Sequence, residues 1–171
     1  PTLIPAKRLI ANVEGAMNAV VVEGDAVGAT LYYGKGAGAE PTASAVIADL
    51  VDVTRLHTAD PEHRVPHLAF QPDQVKDVGV LPIEEVITSY YLRMRVEDKR
   101  GALADIARIL ADSRISISAF IYNDTASCEI YTDIIMLTHE TVEKNAIAAI
   151  GRIEDLPVVS GKVVRLRLEN L

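Results

Sequence analysis

Leu92-Arg93-Met94-Arg95-Val96-Glu97-Asp98-Lys99-Arg100-Gly101-Ala102-Leu103-Ala104-Asp105-Ile106-Ala107-Arg108-Ile109-Leu110 changes its apolar period part-way along. Leu92, Met94 and Val96 alternate with Arg93, Arg95 and Glu97, the period of two of a half-buried strand. Beyond the tight loop Asp98-Lys99-Arg100-Gly101, Leu103, Ile106, Ala107 and Leu110 fall at helical spacing. Working outward, Ile115, Ile117, Ala119 and Ile121 alternate with Ser116, Ser118, Phe120 and Tyr122, a second strand. Asn123 to Ser127 reads as a turn and Ile130 to Leu137 as a third strand. Thr138 is placed to cap a helix whose first turns hold Glu140 and Glu143, acids favoured at the positive end. Val142, Ala146, Ala149, Ile150 and Ile153 form its stripe; Pro157 interrupts, and Val158 to Leu168 contains the last strand. The order over 89–168 is βαββαβ. Such a unit is ferredoxin-like: an antiparallel sheet with both helices on one face.

Upstream, residues 1–57 hold one hairpin and one helix. Asn18 to Glu23 and Ala26 to Tyr33 read as paired strands around the turn residues Gly24 and Asp25. A glycine-rich loop, Gly34-Lys35-Gly36-Ala37-Gly38-Ala39, follows. Pro41 suits a first helical turn, and Val46, Ile47, Leu50 and Val53 continue at helical spacing. One hairpin and one helix cannot bury a sizeable core, so this segment is expected to belong to a larger domain or to pack on another copy. Residues 58–88 carry Pro61, Pro66, Pro72 and Pro82 and read as a connector, with short strands expected near Leu68 and Val80. The overall class is α+β. The first residue is Pro1, and the organisation favours a piece of a longer polypeptide.

The 171 residues are 49% hydrophobic and 24% charged, ordinary for a globular protein. A net charge of -7 argues against nucleic-acid and anionic-membrane partners, which need a basic patch. An RNA-binding βαββαβ module would also need an aromatic-rich third strand, and that strand offers only Tyr131. Tyr90, Tyr91, Phe120, Tyr122 and Tyr131 read as sheet packing instead. No apolar run approaches the ~20 residues of a membrane span. The single cysteine, Cys128, excludes an internal disulfide, reads as an inert thiol and fits a reducing cytoplasm. His57, His63, His67 and His139 have no metal-ligand spacing, so no metal site is expected.

Two glycine loops are candidate sites, each with two readings. Gly34, Gly36 and Gly38 precede a helix start, where backbone amides suit an anion; the same glycines also serve backbone geometry alone. This is not the primary dinucleotide fingerprint, which follows a strand with a different glycine spacing. Gly101 serves either a tight strand-to-helix turn or the approach of a ligand carboxylate to the amides of Gly101, Ala102 and Leu103. Asp98 would then accept from a ligand ammonium.

Leu9-Ile10-Ala11-Asn12-Val13-Glu14-Gly15-Ala16-Met17-Asn18-Ala19-Val20, Gly24-Asp25-Ala26-Val27-Gly28 and Leu31-Tyr32-Tyr33-Gly34-Lys35-Gly36-Ala37-Gly38-Ala39-Glu40-Pro41-Thr42-Ala43-Ser44-Ala45-Val46 resemble, in order and spacing, a late segment of homoserine dehydrogenases. Asp98-x-x-Gly101-x-Leu103-x-x-Ile106 resembles the first loop and helix of ACT domains. The resemblance implies the C-terminal part of the catalytic domain over 1–57, a connector over 58–88 and an ACT regulatory domain over 89–171. It implies NAD(P)-dependent interconversion of aspartate semialdehyde and homoserine by the complete enzyme. It also implies cofactor contact at Gly38, with Gly36 and Gly34 beside it, and an amino-acid effector at Asp98, Gly101, Ala102 and Leu103. Threonine, the pathway's end product, is the expected effector. Arg100 departs from the proline common at that position in ACT domains. The family's nucleotide domain and its catalytic lysine and acidic residues have no counterpart here, so no catalytic residue is assigned, no bound cofactor is expected and the chain alone is expected to be inactive. A homodimer or higher homo-oligomer is expected. The alternative is a free-standing ACT-type amino-acid-binding regulator without catalysis.

Overall fold

The computed structural model describes residues 1–60, 70, 72–123 and 130–169. Most of the turn expected at 123–127, Cys128, His63, His67 and the strand expected near Leu68 lie outside the described residues. The chain forms two compact units, one from Ala6–Gly79 and one from Pro1–Pro5 with Val80–Leu171.

In the first unit, β2 (Met17–Gly24) and β3 (Gly28–Lys35) form an antiparallel hairpin in which Gly24 pairs with Gly28. (β1, Thr2–Leu3, belongs to the other unit.) Asp25, Ala26 and Val27 make the connection, and Gly28 takes the positive φ of 74° that closes such three-residue loops. The turn therefore lies where its residues place it, but the left-handed residue is the glycine that ends it. Helix α1 (Ala39–Thr58) has Pro41 in its first turn, where a missing amide hydrogen costs nothing. Its stripe is unburied: Val46, Ile47, Leu50 and Val53 are all more than half exposed.

The second unit is built on a sheet of order β1-β8-β4-β6-β5, from Thr2–Leu3, Val159–Leu168, Ile87–Glu97, Tyr131–Thr138 and Ile117–Asn123. The four longer strands are antiparallel and α2 (Ala102–Asp112) and α3 (Glu143–Glu154) cover one face, as βαββαβ order predicts. The core contains Leu92, Met94 and Val96 from β4, Ile134 and Met136 from β6, Ile106, Ile109 and Leu110 from α2, and Ala146, Ala149, Ile150 and Ile153 from α3. The intervening strand residues, including Tyr91, Ile135, Leu137, Val164 and Leu166, lie on the helix-free face, because side chains alternate along each strand.

Three local features differ from expectation. Thr138 does not cap α3: its hydroxyl accepts the Tyr90 amide at 3.0 Å, and a two-residue strand, β7 (Thr141–Val142), pairs with β4 before the helix begins at Glu143. No strand forms at Val80, which is 93% exposed. Thr2–Leu3, at the start of the segment read as 1–57, pairs in parallel with Arg167–Leu168 and extends the second unit's sheet. Residues 6–79 are thus inserted between the first strand of that sheet and the rest of it.

Candidate functional site

The loop that joins β4 to α2 is fixed by its own backbone. Asp98 N–H donates to the Ile130 carbonyl at 2.9 Å, Lys99 N–H to the Glu97 carbonyl at 2.7 Å and Ala102 N–H to the Lys99 carbonyl at 3.1 Å. Gly101 sits at φ 92°, a left-handed conformation that strains any L side chain. A Cβ there would meet nothing within 4 Å, so the backbone angle, and not local crowding, demands glycine. Helix α2 then starts with Ala102, and Asp105 N–H is bonded back to the Gly101 carbonyl at 3.0 Å. First-turn amides before that point have no intrahelical acceptor, and Ala102 has already found one in Lys99.

Asp98, Gly101, Ala102 and Leu103, singled out from the sequence, are brought together around one depression of about 230 Å³. Val96, Glu97, Lys99, Arg100, Tyr122, Thr132 and Ile134 complete its walls. Tyr122 Oη and Thr132 Oγ1 lie 3.4 Å apart, and Thr132 is buried. Its buried lining is Val96, Ala102, Thr132 and Ile134, its exposed lining includes Asp98, Lys99 and Arg100, and the start of α2, the positive end of that helix, forms part of it. Such an arrangement accommodates a small zwitterion. Thr132 and Tyr122 were not identified from sequence; Thr132 shares the inward positions of its strand with Ile134, Met136 and Thr138, and a hydroxyl in that alternation is the signal that could have drawn notice.

The three glycines of the other loop sit in different surroundings. Gly34 lies inside β3, opposite Asn18, and a Cβ there would meet nothing. Gly36 donates its amide to the Ala16 carbonyl at 2.9 Å, and a Cβ on it would overlap the Asn18 side-chain amide. Gly38 precedes α1 at φ 127°. The loop proper is therefore Gly36–Gly38, two residues shorter at its start than its composition suggests.

A buried charged cluster, unforeseen from sequence, anchors α3 to the sheet. Glu143 is 1% exposed at the helix start. It accepts from Tyr90 Oη at 2.5 Å and from Arg167 at 2.8 and 2.9 Å, and pairs with Arg165 at 3.0 Å. The Arg167 hydrogen bond, assisted by Tyr90 and Arg165, holds the Glu143 carboxyl below its ordinary range against the cost of burial. Burial first, then the Glu143 hydrogen bond, pushes Tyr90 up to about 12.

Among the described residues no group of three or more His, Cys, Asp or Glu is placed to hold a metal ion. No described helix is long and apolar enough to cross a membrane.

Both loops lie in segments that match known families. Residues 1–51 match the homoserine dehydrogenase family and residues 90–158 match the ACT domain. A homoserine dehydrogenase from Pseudomonas aeruginosa is 54% identical over 171 residues, covering all of this chain and 39% of the relative. The one from Methylobacillus glycogenes is 55% identical over the same length, 40% of the relative. A crystal structure of a homoserine dehydrogenase from Thiobacillus denitrificans superposes with a TM-score of 0.85 at 67% identity, covering 99% of this chain and 38% of that one. Over its whole length the chain is thus similar to part of these homoserine dehydrogenases, with an ACT-type segment at 90–158. It spans about two fifths of the length of the curated homoserine dehydrogenases it matches, from 39% to 40% for those named. The hairpin and glycine loop fall in the homoserine dehydrogenase match, and the Asp98–Leu103 loop falls in the ACT match. The ferredoxin-like βαββαβ expectation holds in the second unit, and a bare regulator would not account for the first match.

Proposed function

We propose that this chain is the part of an NAD(P)-dependent homoserine dehydrogenase that closes one side of the cofactor site and carries an amino-acid-sensing domain. The complete enzyme interconverts aspartate semialdehyde and homoserine in the cytoplasm, and NADP or NAD supplies or accepts the hydride. Gly36–Gly38, exposed before the unshielded start of a 20-residue helix, contacts the dinucleotide, with Gly34 leaving room beside it. Positioning of hydride donor and acceptor dominates such transfer, and one wall cannot supply it. The catalytic piece spans the first segment, read as 1–57, a connector spans 58–88, and the ACT module spans 89–171.

The regulatory reading rests on one observation: Asp98, Gly101, Ala102 and Leu103 surround a single depression of amino-acid size, preorganised by backbone hydrogen bonds. Asp98 receives the ligand ammonium. The free first-turn amides of α2 and the Arg100 guanidinium receive its carboxylate, and Thr132 and Tyr122 offer hydroxyl partners. In this reading Arg100 is a carboxylate partner instead of an obstruction. Threonine is the effector.

Self-association accompanies this function. No described residue of the first unit is buried, and the second unit leaves Tyr91, Ile135, Leu137, Val164 and Leu166 on a face without helices. Burial at ~25 cal/mol per Å² drives a homodimer or higher homo-oligomer, partly offset by association costs.

The test is steady-state oxidation of homoserine by the complete enzyme with and without threonine, in wild type and Asp98→Ala. Threonine should alter the wild-type rate, and the variant should require on the order of tenfold more threonine for the same effect, the loss of one charge-assisted hydrogen bond. An unchanged threonine response in Asp98→Ala contradicts the assignment.

A further inference from the structure

Asn18 and Gly36 touch where the hairpin gives way to the glycine loop. Asn18 pairs directly with Gly34 in the β2–β3 ladder, so Gly36 is its diagonal neighbour on the same face, within reach of its side chain. Gly36 has no positive φ to require glycine. A methyl group there would overlap Asn18 Nδ2 and Cγ and lie 3.0 Å from Oδ1, so it would turn the Asn18 side chain out of its place. Gly34, opposite, presents no side chain to compete for that space. The Asn18 carboxamide makes no hydrogen bond to any described residue, so the contact is one of shape: the carboxamide fills the space that a side chain on Gly36 would take. The Gly36 amide is pinned to the Ala16 carbonyl at 2.9 Å from the neighbouring strand. The loop thus leaves the sheet between a backbone hydrogen bond and a side-chain buttress, two residues before the left-handed Gly38 and the start of α1.

We propose that Asn18 is a positioning residue of the cofactor loop: its carboxamide supports Gly36 and thereby sets the path of Gly36–Gly38 toward the dinucleotide. It touches neither substrate nor reacting atom. The inference rests on the reading of Gly36–Gly38 as a cofactor contact. Trimming the buttress lets the loop settle away from its binding path, and displacements of about an ångström at a positioning element have large effects. The chemical step is left to other residues, so the loss falls on cofactor affinity.

The experiment is steady-state kinetics of the complete enzyme in four forms beside wild type: Asn18→Ala, Gly36→Ala, the double variant and Ala37→Glu. Asn18→Ala should raise the cofactor KM on the order of tenfold, with kcat and the homoserine KM within about twofold. Gly36→Ala should raise it to a comparable extent, because its methyl displaces the Asn18 side chain. In the Asn18→Ala background the same methyl should add about twofold or less, a non-additivity expected only of groups in contact. KM does not depend on how much enzyme is folded, so a lower yield of any variant leaves the readout intact. A cofactor KM unchanged in Asn18→Ala, or single effects that multiply in the double variant, overturns the proposal. Ala37→Glu distinguishes the two levels, since a carboxylate in a loop that faces dinucleotide phosphates must weaken binding. If it raises the cofactor KM while Asn18→Ala does not, only the positioning role falls. If Ala37→Glu has no effect, the cofactor reading of the loop falls and takes the proposal with it.

Discussion

Glu143, legible from sequence only as an acid near a helix start, accepts from Tyr90 and Arg167 and pairs with Arg165 while buried. Replacement by glutamine keeps the volume but leaves Arg165 and Arg167 facing a neutral amide. The arginines are 33% and 26% exposed, so solvent softens the loss, and about 3 kcal/mol of destabilisation is expected in chemical denaturation. The pH dependence has two arms. Glu143 is depressed, so its contribution is full above the ordinary carboxylate pKa and is lost as pH falls through its folded value. Tyr90 is raised to about 12 from 10.0, so its contribution is full below 10 and is lost as pH rises toward 12. Tyr90→Phe should therefore flatten the alkaline decline in the second unit's thermal midpoint between those pH values, and an equally steep decline in the variant would contradict this. At the other loop, Gly101→Ala should cost about 1–2 kcal/mol from backbone angle alone, with no crowding to relieve. Residue roles were unevenly legible. Gly101 announced itself through its place between a strand pattern and a helix pattern. Arg165 and Arg167 did not: beside Val164, Leu166 and Leu168 they look like the solvent-facing half of an alternation, and only the register with Tyr90 and Leu92 turns them inward to Glu143.

At the scale of elements, the strength of the periodic signal tracks what became structure. β4, α2, β6 and α3 were readable because each buries one clear face, from Leu92, Met94 and Val96 to Ile150 and Ile153. Helix α1 was equally readable, yet buries nothing among the described residues, because periodicity reveals a face without revealing its partner. The two-residue strands β1 and β7 were invisible: two residues carry no period, and Thr2 finds Arg167 only across nearly the whole chain. Thr138 illustrates a competing use of a hydroxyl, bonded to the Tyr90 amide where a helix cap was expected. These contrasts make a prediction for hydrogen exchange in the dilute 171-residue chain. Amides of β2, β3 and α1 should exchange orders of magnitude faster than those of β4, β6, α2 and α3, since local opening is cheap where no apolar surface is buried. Comparable protection in both sets, with the protein monomeric, would show that the first unit has a stability of its own.

The whole molecule joins a well-packed sheet-and-helix unit to an unshielded hairpin and helix, and each fits a different part of homoserine dehydrogenase. The isolated chain should show only background absorbance change with homoserine and either nicotinamide cofactor; saturable turnover would mean that it holds a catalytic centre unaccounted for here. It should also self-associate, and light scattering that gives a clean monomer near 18.5 kDa would refute that. The depression beside Gly101 is tested by the thermal midpoint of the second unit's transition as L-threonine is added. A ligand confined to the folded state stabilises it by RT ln(1 + [L]/Kd), about 2.7 kcal/mol at a hundredfold excess over Kd. An effector site there requires a midpoint that climbs with threonine concentration, and a smaller climb in Asp98→Ala. A midpoint unmoved by threonine at many millimolar, and equally unmoved by isoleucine, methionine and lysine, would contradict it and leave the unit a structural or dimerising module.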